Sequence, residues 1–448
     1  MTAPAGVTAP ETARERSAQT RARRLVVAST MVITIGMLFG YKIDERLALS
    51  NIAQVVGLIL LFVAHPRLLR ARDVVLILLG LGSVVLAAVS VSLIYGYRAD
   101  PLHTAYFLAA TVYLTAVYRA CSERGAGADV AEGVRRSIPP AAAVLLVTGV
   151  LERTEGAPFI SFGFDDNSHA AVAACFLAFA SLRFLRTPLR LILAIAFFAA
   201  ALLTYSRMPF FFAPFLAIAF AVEYRRLRAE ATEAWHVLGA HLLVLAAVAI
   251  PVVLARNAAE HFTVFERVLA PGEFTIASTT AHIELLSLGA QLKVDNVWNM
   301  LLGVTPGGFA ATAVASDIDL TTFAVRDPIA YQAMLDGWAP LHSSLGSVLL
   351  EFPAWVAVVF VVVVVLTFVR LLRRREWVMA AFLVGLMAAT TLYSSHNEIY
   401  FVVSLAVSIA MAYDNPAARR PANGGRDEDS TAEHVPRLTP AAPGGRDG

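Results

Sequence analysis

The chain has 448 residues, 58% of them hydrophobic and 16% charged, and its mean hydropathy is +0.65. A soluble domain carries about 25% charged residues, so this composition cannot supply the polar surface that a soluble protein of this length needs; a soluble enzyme, a nucleic-acid binder and a secreted disulfide scaffold are excluded. The formal net charge of +2 says little, whereas short charge clusters separated by apolar runs of about 15–25 residues are the pattern of a polytopic membrane protein.

Residues 1–24 are rich in Ala, Thr, Pro and Arg without an apolar period, and are expected to form a disordered cytoplasmic N-terminus. The first apolar run, Leu25–Gly40, has a basic leader but no small-residue cleavage site, and reads as a retained anchor. Further spans are expected at 47–64, 74–95, 103–119, 138–151, 169–185, 189–205, 208–224, 237–255, 345–369, 377–393 and 399–413. The expected fold class is all-α, with about 12 transmembrane helices between residues 25 and 413. Residues 414–448, rich in Pro, Gly, Asp and Arg, read as a disordered cytoplasmic tail.

Between the ninth and tenth spans, residues 256–341 form a loop of about 85 residues, too long for a passive connector. Ile283, Leu286, Ala290, Val294, Val297 and Leu301 recur in it at helical spacing. This predicts an amphipathic helix over 279–302, packed in a small subdomain on the membrane face and ended by Gly303, Pro306, Gly307 and Gly308. Basic residues orient the whole. The N-terminus, the connections near 65–73, 119–137, 183–190, 224–236 and 370–376, and the tail hold 27 of the 36 Lys and Arg residues. That side is expected to be cytoplasmic, which puts both termini inside and the long loop outside.

Cys121 and Cys175 lie in or beside apolar runs and read as packing residues. The sequence contains no CxxC pair, no HExxH and no Cys/His cluster, so neither a metal nor a cofactor is expected. Ionisable residues are scarce inside the spans and gather at their outer ends: Asp165, Asp166 and His169, then Arg207, then His342 and Glu351, then His396 and Glu398. This places the chemistry at the external interface, where a lipid-linked substrate would meet polar groups while its tail stays in the bilayer. A transporter would more usually carry such groups near mid-membrane.

Three patterns at this interface point to a family. They are Leu203-Thr204-Tyr205-Ser206-Arg207, Leu302-Gly303-Val304-Thr305-Pro306-Gly307-Gly308-Phe309, and His342-Ser343 followed by Leu349-Leu350-Glu351-Phe352. With Asp165-Asp166-Asn167-Ser168-His169-Ala170, the span count and the long loop, they resemble the O-antigen ligase and O-antigen polymerase superfamily, over about residues 160–355. The resemblance implies a membrane glycosyltransferase of the GT-C type. Such an enzyme moves a glycan from a polyprenyl-diphosphate (undecaprenyl-type) carrier to an acceptor hydroxyl on a glycan or lipid, with inversion and without a metal, in cell-envelope polysaccharide synthesis at the cytoplasmic membrane. The chain departs from the family at three places. Ser343 follows His342 where Asn is usual, His282 stands where the loop helix usually starts with Arg, and Arg153 lies upstream of Pro158, the place nearest another family arginine. The alternative function is a transporter or flippase of lipid-linked sugars, against which the two halves of the chain show no convincing repeat.

The residues suggest roles on their own terms. Breaking a sugar–diphosphate bond builds negative charge on the leaving group, and Arg207 can grip phosphate oxygens bidentately; the competing reading is an arginine that only snorkels to lipid phosphates. His342 is the candidate general base for the acceptor hydroxyl. His282, Arg153, Asn167 and Glu351 are candidate substrate-binding residues, and Glu351 could orient His342 or cap a helix.

Overall fold

The computed structural model describes residues 13–39, 48–99, 101–154, 161, 167–185, 189–204, 206–230, 273–326, 328–336, 341, 343–391 and 399–419. The described residues are helical with no strand. Eight helices make the first part: α1 (Ala13–Gly36), α2 (Leu49–Ala64), α3 (Ala71–Tyr95), α4 (Pro101–Arg124), α5 (Gly127–Thr154), α6 (Asn167–Phe184), α7 (Leu189–Leu202) and α8 (Met208–Glu230). The long loop contributes α9 (Glu273–Asp295), α10 (Val297–Leu302), α11 (Phe309–Ala315), α12 (Thr321–Arg326) and α13 (Pro328–Leu335). Then follow α14 (Ser344–Glu351), α15 (Ala354–Arg373), α16 (Trp377–Thr391) and α17 (Ile399–Tyr413).

Among the described residues, four helices are long and apolar enough to cross a membrane, Ala71–Tyr95, Gly127–Glu152, Met208–Arg226 and Ala354–Arg373, and four shorter ones are also apolar. The most apolar of them, α3 and α15, are among the least covered by protein. Leu79 and Leu93 are 56% and 81% exposed and Val358 is 61% exposed. Leaving such rows in water would forfeit about 1.5–3 kcal/mol per large side chain, so these faces belong against lipid, and the chain is a membrane protein. The opposite pattern marks the centre. Every residue of α6 from Ala170 to Leu182 is buried, as is every residue of α17 from Ile399 to Ala412. Small side chains let α6 sit there, because Ala170, Ala171, Ala173 and Ala174 allow close helix approach. Below its first turns Phe176 and Phe179 meet Phe382 of α16 at 5.5 and 5.3 Å between ring centroids, and Phe212 of α8 lies 5.8 Å from Phe382.

The two ends of α3 meet different surroundings and mark two distinct ends of the bundle. One is basic and tied by charge. Arg119 of α4 pairs with Asp73, which caps α3 by accepting Arg70 N–H at 2.9 Å; Arg183 of α6 pairs with Glu376 before α16; Arg190 of α7 faces Glu223 of α8 at 3.1 Å. The other end carries α9–α14. There Leu285, Leu288 and Leu292 of α9 build a separate core with Val304, Phe309, Met334 and Leu341, seated on Val91 of α3.

Several boundaries differ from the sequence expectation. Residues 13–24, expected to be disordered, are the first turns of α1, since Ala, Arg, Gln and Glu are strong helix formers that need no apolar period. The expected connection 119–137 is almost wholly helix: α4 and α5 are separated only by Gly125, in the left-handed region at φ 61°, and Ala126. The tenth span starts at Ala354 rather than 345, because Pro353 cannot continue α14 and restarts the chain as the N-cap of α15. The expected loop helix 279–302 breaks at Asn296, whose side chain accepts Asn299 N–H at 2.9 Å and caps α10. Of its expected apolar stripe only Leu286 packs against the subdomain core. Ile283, Val294, Val297 and Leu301 are 50% or more exposed, while the alternative row Leu285, Leu288 and Leu292 is buried. The ninth expected span, residues 1–12 and residues 420–448 lie outside the described residues.

Candidate functional site

Two sequence-remote groups assemble at the loop-bearing end. The first joins the start of α6 to the joint between α7 and α8. This joint cannot satisfy its backbone by helix alone, and hydroxyls substitute. Thr204 Oγ1 donates to Ala201 O at 2.7 Å, and Ser206 N–H and Met208 N–H donate to Thr204 Oγ1 and Ser206 Oγ, each at 3.2 Å. Both hydroxyl residues are buried, and Pro209 in the first turn of α8 is tolerated there because that turn has no intrahelical N–H partner to lose. Asn167 Nδ2 donates to Thr204 O at 2.7 Å and Ser206 Oγ to Ser168 Oγ at 3.0 Å, so the joint is clamped to α6. Arg207 follows this clamp, half-buried at the entry to α8. Two residues on from Asn167, the His169 ring centroid lies 5.1 Å from that of Tyr400 of α17.

The second group is the glycine loop 303–308. Gly303 adopts φ 79° and ψ −179°, a region open only to glycine, and a Cβ there would stand 2.5 Å from Glu351 O. Thr305, a non-glycine residue, is also held at positive φ, 69°, and its buried hydroxyl has no hydrogen-bond partner among the described residues. What holds this strained loop is the end of α14. Val304 N–H donates to Leu350 O at 3.2 Å, and the Glu351 carboxylate accepts from Gly307 N–H at 3.2 Å and from Phe309 N–H. Burial pushes the Glu351 carboxyl up to about 7, outweighing the two N–H donors that favour its ionised form. Lys293 of α9 reaches the same corner, with Nζ 3.5 and 3.3 Å from the Leu350 and Phe352 carbonyls. Burial lowers its ammonium to about 8.

The sequence-identified residues fall as follows. Asn167 sits on the clamp that carries Arg207, and Glu351 braces the glycine loop, while its other reading, as the group that orients His342, lies outside the described residues. Arg153 and His282 lie on α5 and α9, but their side chains, and the whole of His342, Asp165, Asp166, His396 and Glu398, are outside the described residues. Two residues were missed. His103, two residues into α4, packs its ring against Gly307, where an added Cβ would lie 2.8 Å from it; Lys293 props the α14 carbonyls. The sequence held a signal for the second, since Lys42 and Lys293 are its only lysines. A neighbouring aromatic contact, Phe107 against Phe352 at 4.5 Å, fastens α4 to the α14–α15 corner. Between the two groups runs α16, which packs on α6, α8 and α14.

The chemistry on offer is a permanent cation beside hydroxyl and amide groups, and a rigid glycine loop braced by a buried carboxyl that titrates near neutrality. No family model matches the chain, and no curated protein sequence matches it.

Proposed function

We propose that the protein transfers or polymerises glycan from a polyprenyl-diphosphate-linked donor onto an acceptor hydroxyl at the outer face of the cytoplasmic membrane, as a metal-independent inverting glycosyltransferase. The observation that carries this reading is the pairing of the four sequence patterns. The Asn167 stretch meets the Thr204–Arg207 joint, and the 302–309 loop meets Leu350–Glu351, at one end of the bundle. Patterns about 40 residues apart in sequence, picked out by the family resemblance, are joined by hydrogen bonds, as parts of one site would be. In this reading Arg207 neutralises charge growing on the diphosphate leaving group, and His342 takes the proton from the acceptor oxygen as that oxygen attacks the sugar. Asn167 and Glu351 act as positioning residues, Asn167 through the joint that bears Arg207 and Glu351 through the glycine loop. About 12 spans, with both termini cytoplasmic and 256–341 external, complete the proposal.

The test is reconstitution of the purified protein in liposomes with a defined polyprenyl-diphosphate glycan. Formation of a longer or newly attached glycan, with release of free polyprenyl diphosphate, is expected. Movement of intact donor between leaflets without a broken sugar–phosphate bond would replace this reading with the transporter.

A further inference from the structure

The basic end of the bundle holds an open cavity of about 1070 Å³, at the upper limit of the ~300–1,000 Å³ of small-molecule pockets. Arginines from five places in the chain line it: Arg135 of α5, Arg183 of α6, Arg190 of α7, Arg226 of α8 and Arg374 after α15. The acids in its wall are already engaged. Glu132 holds Arg135 and Arg136, Glu376 holds Arg183, and Asp414 accepts Gly127 N–H at 2.9 Å.

Arg190 is the informative residue. It is 6% exposed, and its Nη1 lies 3.1 Å from Glu223 Oε2, yet its Nε and Nη2 have no hydrogen-bond partner among the described residues. Burying a guanidinium with donors unspent is costly, and one carboxylate contact uses only one corner of the planar fork. A tetrahedral oxyanion is the group that such a fork matches, because adjacent N–H groups bind two of its oxygens at once. The exposed Arg135 and Arg226 extend the positive lining from this buried arginine toward the surface, their side chains 46% and 64% accessible.

We propose that this cavity is a binding site for a phosphate-bearing anion, with Arg190 as its buried anchor and Arg135 and Arg226 as its outer contacts. Its volume exceeds what inorganic phosphate fills, so the ligand carries a further moiety. Two sources offer that chemistry: the headgroup of an anionic membrane lipid, and a soluble phosphate compound of nucleotide size. The site lies at the opposite end of the bundle from the glycine loop, and it stands or falls independently of glycan transfer.

The experiment titrates the purified full-length protein in detergent with inorganic diphosphate and, separately, with short-chain phosphatidic acid, reading heat of binding and the shift in melting temperature. Saturable binding of at least one probe is expected. The double variant Arg135→Gln/Arg226→Gln changes only exposed side chains, so it should melt like the parent while binding at least tenfold more weakly. Arg190→Lys keeps a charge facing Glu223 but loses the fork, and should weaken binding in the same sense. Arg98→Gln, an exposed arginine at the other end, should leave binding unchanged. Diphosphate binding alone identifies a soluble ligand, and phosphatidic acid binding alone a lipid headgroup. Absence of saturable binding by both probes, or equal weakening by Arg98→Gln and the double variant, would overturn the proposal.

Discussion

At the residue scale the proposed chemistry divides between groups that can be tested separately. If His342 accepts the acceptor's proton, His342→Ala slows transfer about 10²–10⁴-fold and leaves donor affinity nearly unchanged, since a neutral imidazole need not hold the diphosphate. Arg207→Lys keeps the charge but not the paired planar contact, so both donor affinity and turnover should fall; turnover and separately measured donor binding in purified variants distinguish the two. Glu351 yields a different kind of prediction. Its carboxyl is raised to about 7 in the fold, against about 4.3 in an unfolded chain. The folded state therefore binds the proton more tightly, and the associated stability is complete below the unfolded value and lost as pH rises through 7. Melting temperature should fall between pH 5 and 8 in the parent. Glu351→Gln keeps an acceptor for Gly307 N–H and removes the titration, so its melting temperature should be flatter over that range; an unchanged pH profile would remove Glu351 as the cause.

Elements in this protein are decided by what their ends and faces must satisfy. The glycine loop exists because Gly303 can occupy φ 79° against the Glu351 carbonyl and the carboxyl below can accept two of its N–H groups. Gly303→Ala introduces both a forbidden backbone region and a backbone collision, and should destabilise by about 3 kcal/mol, seen as a lower melting temperature and new protease cleavage within 302–309. Gly82→Ala in α3 is the matched control, because a Cβ there meets nothing within 4 Å and alanine is the better helix former. Helices α9 and α10 carry two apolar rows, one in the subdomain core and one outward, the latter ending in Val297, Trp298 and Leu301. An outward row of this kind at a membrane protein's surface lies in the lipid interface. A nitroxide at Val294 should accordingly collide more often with dissolved oxygen than with a water-soluble nickel chelate.

At the scale of the whole molecule the two ends carry opposite assignments. The charged ties among Asp73, Arg119, Arg183 and Glu376 gather the arginine-rich connections on one face, which the proposed orientation makes cytoplasmic by the basic-residue rule. Membrane-impermeant maleimide added to sealed cells should label Asp317→Cys, which is exposed on the loop-bearing end, and spare Ser430→Cys. The native Cys121 and Cys175 are both buried and contribute no background. Labelling of position 430 from outside would invert the orientation and put the proposed transfer site on the wrong side of the membrane.

Composition and hydropathy by themselves determined that the chain is helical and belongs in a bilayer, because a lipid environment demands long apolar runs whose order in the chain is visible without any partner. They also located the polar patterns, since ionisable groups are rare enough in such a sequence to stand out. Tertiary structure alone decided which apolar helices are central. α6 and α3 are both apolar, but only packing distinguishes an alanine-rich helix enclosed by neighbours from a valine- and leucine-rich one facing lipid. It alone turned the loop helix over, burying Leu285, Leu288 and Leu292 instead of the row that periodicity favoured. The brace between Glu351 and the glycine loop, the contact of His103 with Gly307 and the unspent donors of Arg190 were likewise invisible in sequence. The brace and the His103 contact join residues tens to hundreds of positions apart, and periodicity reports only what a residue's near neighbours along the chain impose.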